Sequence, residues 1–168
     1  MKLPPGGTRG AEVPKVLRPI LKAMMGTGNV MFGLGLKIQG RPLLRLHTVG
    51  AQTGEHRRAI LACFPDDERS DSWLIVASNA GSARHPSWAH NLAKNPDLVT
   101  IDVGKESVEV RAQLLTADQR GLAWDRVVGL SPGYSSYTTK TDREIPIFRL
   151  TALADMTDNR EVSRIVPM

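Results

Sequence analysis

Six short runs in this chain read as β-strands, and most of the connections between them are too short to carry a crossover helix. Leu44, Leu46 and Thr48 alternate with Arg45 and His47, and Val99, Ile101 and Val103 alternate with Thr100 and Asp102. Val108, Val110, Ala112 and Leu114 alternate with Ser107, Glu109, Arg111 and Gln113. Arg58 to Phe64, Trp73 to Ser78 and Ile145 to Leu150 are apolar runs bounded by turn residues. A period of two turns one face of each strand inward. Asp66 to Ser72 and Gly104-Lys105-Glu106 have the composition of hairpin loops. Strands in such quick succession, with few helices between them, predict an antiparallel β-barrel of mainly β, α+β class rather than a βαβ sheet.

Two helices interrupt the series. Pro86 to Lys94 carries Trp88 and Leu92 one turn apart and stops at Asn95-Pro96. Thr116-Ala117-Asp118-Gln119 has capping-box spacing and opens a helix through Leu122, Ala123 and Val127 to Gly129. A third pattern, Val13 to Met25, puts Val16, Leu17, Ile20 and Met24 on one face and Lys15, Arg18 and Lys22 on the other. Packing on the domain, peripheral contact with a membrane and covering a ligand mouth are all open to such a helix. The expected organisation is a flexible arm over residues 1–12, one domain over 13–150 and a polar tail over 151–168. The 168 residues suffice for a single core.

Charge and cysteine content narrow the function. The 22 basic and 17 acidic side chains leave +5, which favours anionic partners. Aromatics make up only 5% with no basic run, so a nucleic acid is not expected as a partner. Cys63, the single cysteine, excludes an internal disulfide and a cysteine metal cage, and reads as a small core residue. His85 and His90 fall on different sides of one helix, and His47 and His56 lack an acidic companion at ligand spacing, so no metal is expected. No nucleophile elbow, Walker loop or zincin motif occurs. Met1 to Gly7 lacks the apolar segment of a signal peptide, so the expected residence is cytoplasmic, with membrane association through the 13–25 helix.

Three stretches carry candidate chemistry. Val76 to Trp88 is an apolar run that ends in small residues before Pro86 opens a helix, a form suited to a flat or anionic ligand near a helix N-terminus and equally to an empty βα loop. Thr48 to Arg58 is a glycine- and threonine-bearing loop followed by Arg57 and Arg58, which alternation sends to opposite faces. Arginine beside free N–H groups suits a phosphate or carboxylate, and solvated hairpin arginines are as common. Ser131 to Tyr137 holds both tyrosines three residues apart, on one side of a helical turn; the phenols can serve a substrate or pack on the barrel.

Taken in order, these pieces resemble the deazaflavin-dependent nitroreductase family, from about Leu43 to Leu150. The carriers are Thr48-Val49-Gly50, Thr53-Gly54 and Arg57; Ala77-Ser78-Asn79 and Gly81; His85-Pro86-Ser87-Trp88 and His90-Asn91-Leu92; Asn95-Pro96; Pro132-Gly133-Tyr134 with Tyr137; and Thr141 to Pro146. The resemblance implies a split β-barrel related to FMN-binding barrels, and an oxidoreductase that uses coenzyme F420, with FMN as the alternative cofactor. It implies hydride transfer to a quinone, nitroaromatic or activated-alkene acceptor. A non-catalytic ligand carrier is the remaining alternative, and a homodimer is possible within the family. By the same analogy Gln52, Thr53, Gly54 and Arg57 hold the cofactor tail. Ala77, Ser78, Asn79, Gly81, Arg84, Pro86 and Trp88 surround the ring, and Tyr134, Tyr137 and Ser78 serve the reaction. Ala51-Gln52 stands where the family usually has an Arg-Lys pair, and Arg58, Arg84 or His56 are the candidates to replace that charge.

Overall fold

The run Arg58 to Phe64 reads as one strand and folds as two. The computed structural model describes residues 1–12 and 28–153. In it β2 (His56–Ala62) pairs with β1 (Leu43–Val49), and after the single residue Cys63, β3 (Phe64–Pro65) pairs with β4 (Ser72–Val76). With β5 (Val99–Val103), β6 (Glu106–Leu114) and β7 (Ile147–Ala152), these strands form one antiparallel sheet in the order β2-β1-β5-β6-β7-β4-β3. Its two edge strands are thus neighbours in the chain. A sheet whose opposite edges are joined by one residue has to curl round on itself, and the result is a barrel left open along one seam. The expected antiparallel barrel is present in this split form.

Alternation explains the interior. Leu44, Leu46, Trp73, Ile75, Ile101, Phe148 and Leu150 have no exposed surface and fill the curl. Trp88, Ala89 and Leu92 of α1 (Ser87–Lys94) pack onto the same core, with the Trp88 ring set edge-on to Phe148 at 5.9 Å. A second cluster covers the outer face: Phe64, Leu74 and Ile147 meet Ala123 and Val127 of α2 (Ala117–Leu130) and Tyr134. β4 is therefore buried on both faces, which is why it reads as a continuous apolar run. The Thr116–Gln119 capping box forms as expected and starts α2. Pro132–Tyr134 is a 3₁₀ turn leading into α3 (Ser135–Lys140).

Some boundaries differ from expectation. Pro86 is the N-cap rather than the first helical residue of α1. Thr151 and Ala152 belong to β7, so the strand runs into the expected tail, and residues 28–33 are helical. Leu122 is on α2 but faces solvent. Residues 1–12, expected as a flexible arm, lie against the body: Gly7 N–H donates to Ala83 O and Ala11 N–H to Gly81 O. The Thr8 hydroxyl and the Thr8 and Arg9 N–H groups converge on the Asp142 carboxylate, holding its pKa down to about 2. The amphipathic segment Val13 to Met25, and the membrane contact expected of it, lie outside the described residues. No helix among the described residues is long and apolar enough to cross a membrane.

Candidate functional site

At the end of β4 the chain turns through Asn79, Ala80 and Gly81 at φ of +46°, +52° and +81°. Two of these carry side chains, and left-handed backbone costs such residues about 1–2 kcal/mol each. Strain of this kind persists only where the surroundings impose it, and here Arg143 does so. Its buried guanidinium donates from Nη2 to Ala77 O (3.0 Å) and Ser78 O (2.7 Å), from Nε to Ser82 O (2.7 Å) and from Nη1 to His85 Nδ1 (3.1 Å). His85 in turn donates from Nε2 to Pro4 O (2.9 Å), which fixes its tautomer. Burial lowers the His85 pKa, and the Arg143 charge adds to this while the bond to Pro4 opposes it. Ser78 is right-handed and Asn79 left-handed, a succession that gathers backbone N–H groups into a concave, anion-favouring cluster.

The second wall is the β1–β2 loop. Gly50 N–H donates to Glu55 O and Gly54 N–H to Gly50 O, with Gly54 at φ +70° where a side chain would be strained. α1 holds this loop from behind. Asn91 donates to Thr48 Oγ1 (3.0 Å) and accepts from Ala51 N–H (2.9 Å), Lys94 Nζ donates to Ala51 O (2.7 Å), and Asn95 donates to Val49 O (3.1 Å).

Between the two walls runs a cleft of about 910 Å³. Of the expected site residues, Gln52, Thr53, Arg57, Asn79, Arg84, Pro86 and Trp88 line it. Arg58 lines it as well as Arg57; strand alternation sends them to opposite faces, but both belong to an exposed edge and both reach the cleft. No aspartate or glutamate is among the lining residues, so the donor set is cationic and amide-rich. Arg57 is paired with Glu55 at the rim. Past Ile60, Leu61, Pro86 and Trp88 the cleft continues into a cavity of about 270 Å³ that holds Ser78, Tyr134 and Tyr137. The two rings meet edge-on at 5.3 Å, as their spacing implies. Burial pushes the Tyr134 phenol up to about 12.

Gly54, Ala77 and Gly81 line neither space. They act on the backbone: Gly54 allows the loop its turn, Ala77 is buried with its carbonyl on Arg143, and a Cβ on Gly81 would stand 2.8 Å from Lys140 Cβ. His56 does not line the cleft, whereas Arg58 and Arg84 do, and Lys94 sits on the loop itself. The sequence reading missed Arg143, Asn91 and Gln39 as site-building residues, because each acts through partners more than 35 positions away. His47 does have an acidic partner, Asp102 at 2.9 Å, in a network with Arg45 and Ser107 that lies away from the cleft. Among the described residues no group of side chains could hold a metal ion. Cys63 is inert core, its thiol raised to about 12 by burial.

The cleft presents cations and amides without an acidic residue, beside an apolar wall, and known proteins are similar to this chain. A quinone reductase of Mycobacterium tuberculosis (strain ATCC 25618 / H37Rv), described as F420H(2)-dependent, is 38% identical over 122 residues, covering 70% of this chain and 79% of the relative. A solved structure of an F420-H2 dependent reductase superposes with a TM-score of 0.57 at 32% identity, over 69% of this chain and 99% of the other. Another, described as a domain-swapped dimer, gives 0.58 at 29% identity, over 79% and 98%. The sequence profile of the F420H(2)-dependent quinone reductases matches residues 21–152, and the chain belongs to that family.

Proposed function

We propose that this protein is an F420-dependent oxidoreductase that reduces a quinone, with the cofactor in the large cleft and the acceptor in the tyrosine-lined cavity. The carrying observation is the cleft's composition: its lining has three arginines and no acidic residue, beside the apolar Leu61, Pro86 and Trp88. Bound reduced F420 supplies a hydride, so the protein's task is placement, exclusion of water and proton delivery. Thr53, Gln52 and Arg57 hold the anionic tail; Asn79, Arg84, Pro86 and Trp88 frame the ring, and the N–H cluster at Ser78 and Asn79 faces its polar edge. Ser78, Tyr134 and Tyr137 meet the acceptor. Tyr134, raised to about 12, stays a neutral hydroxyl at physiological pH. Arg58, Arg84 and Lys94 supply the positive charge that Ala51-Gln52 lacks. The domain-swapped neighbour supports a homodimer for this chain.

Cofactor binding, turnover and two substitutions test this. Titration with oxidised F420 and with FMN should show preference for F420, and reduced F420 should turn over with menadione; preference for FMN, or binding without turnover, overturns the reading. Arg57→Ala should weaken F420 binding roughly ten- to hundredfold, since a charge-assisted hydrogen bond contributes about 1.5–3 kcal/mol. The Glu55 pair does not cancel this, because exposed pairs are worth at most about 1 kcal/mol. The loss should be smaller at high salt, and unchanged affinity removes Arg57 from the tail site. Tyr134→Phe should lower turnover while leaving the F420 dissociation constant as it is; equal turnover in both proteins ends its role.

A further inference from the structure

Gln39 is placed with unusual care for a residue in a surface turn. Ile38 and Arg41 exchange backbone hydrogen bonds across Gln39 and Gly40, whose φ values of +50° and +76° are those of a type I′ turn. Glutamine is not the residue such a turn favours at its first position, where asparagine, aspartate or glycine avoids the strain. Its backbone carbonyl accepts from the Ser131 hydroxyl at 3.0 Å, which ties the turn to the start of the tyrosine segment. A Cβ on Gly133 would lie 2.8 Å from Gln39 Oε1, so the glycine before Tyr134 leaves the space the carboxamide occupies. The amide also lines the smaller cavity, and its Nε2 donates to Tyr137 Oη at 3.1 Å.

We propose that Gln39 is a positioning residue for the acceptor, acting through Tyr137. Because the phenol oxygen is already accepting from the carboxamide, its own hydrogen is left to point elsewhere, and no group among the described residues takes it. The open direction is the cavity. Reduction of a quinone to a hydroquinone consumes one hydride, which carries both electrons, and one proton. The geometry assigns the proton to Tyr137: its O–H bond breaks as a new O–H bond forms on the quinone oxygen, and the phenolate is reprotonated by solvent. Gln39 keeps that hydrogen aimed at the acceptor, acts through the phenol alone, and does not line the cofactor cleft.

The inference rests on the reading that this cavity takes the acceptor, and the wild-type protein tests that reading separately, by turnover of reduced F420 with menadione. Given activity there, Gln39→Leu removes the donor and should lower kcat for menadione about tenfold, the scale of one lost hydrogen bond. Its F420 dissociation constant should be unchanged, and its solvent deuterium isotope effect on kcat should be larger than that of wild type. Gln39→Glu is the sharper variant: a carboxylate at this position accepts from the phenol and turns its hydrogen away from the cavity, so kcat should fall further than in Gln39→Leu. Thermal unfolding accompanies both, and the carboxylate variant keeps the turn's shape if the leucine variant does not fold. Wild-type kcat and isotope effect in either folded variant, or a parallel loss of F420 affinity, overturns the assignment.

Discussion

Arg143→Met is expected to lower stability by roughly 2–4 kcal/mol and F420 affinity by at least tenfold. Arg143 is 6% exposed and binds four backbone carbonyls, those of Ala77, Ser78, Ser82 and, at 3.4 Å, Glu144. A buried carbonyl left without a partner costs about 1–3 kcal/mol, and the relief of a desolvated guanidinium offsets part of the total. The functional loss has a separate origin. Asn79 and Ala80 sit in left-handed conformations that the clamp sustains, and without it the turn relaxes and Asn79 leaves its place in the cleft wall. Arg143→Lys separates charge from shape: an ammonium keeps the charge but cannot span Ala77, Ser82 and His85 as a planar fork does. It should therefore recover little F420 affinity. Fluorescence titration with F420 beside thermal unfolding reads both effects. A lower melting temperature with unaltered affinity confines Arg143 to the fold, and wild-type values for the lysine variant would sink the clamp altogether.

The same clamp marks the limit of what the sequence discloses. Period-two alternation in Val108 to Leu114 and the capping box at Thr116 are local signals, and β6 and α2 form where those signals lie. The split at Cys63 is not local. An apolar run that leaves one strand and joins another looks continuous, and only the pairing of Leu43 with Ala62 and of Phe64 with Leu74 reveals the change of partner. The site divides in the same way. Arg57, Asn79 and Trp88 were legible because their residue types suit a ligand and their neighbours are loop-forming. Gly54, Ala77 and Gly81 lay in the right segments, yet a linear pattern does not distinguish a residue that touches a ligand from one that lets the backbone turn. Arg143, Asn91 and Gln39 show their purpose only through partners brought near by folding: Asn91 reaches Thr48, 43 positions earlier. The contacts of residues 1–12 are hidden from the sequence for a related reason. The prolines and glycines of this segment predict no structure of their own, and its contacts are with Ala83 and Asp142, far along the chain.

Asp66→Ala is expected to be strongly destabilising, by about 3 kcal/mol, because it leaves a buried cation with only the half-exposed Glu68 as counterion. Arg149 of β7 is 5% exposed and Asp66, just past β3, is 7% exposed. The guanidinium binds the Asp66 carboxylate through Nε and, at 3.2 Å, through Nη2, which also reaches Glu68 Oε2 at 2.6 Å; Ser72 Oγ donates to the same carboxylate at 2.7 Å. β3 is only two residues long, so its hold on β4 depends on this network as much as on ladder bonds. Cys63 ties β3 to β2, and a β3 that loosens therefore frees one side of the seam. The pair itself is a different matter from its rupture. Desolvation consumes much of the attraction between two buried ions, so replacing both with apolar groups is often neutral or stabilising. Asp66→Ala combined with Arg149→Met should thus be more stable than Asp66→Ala alone, although it lacks two polar groups rather than one. Urea unfolding of the three proteins decides the point. If the double variant is no more stable than Asp66→Ala alone, the loss does not come from the cation left behind and that account is wrong.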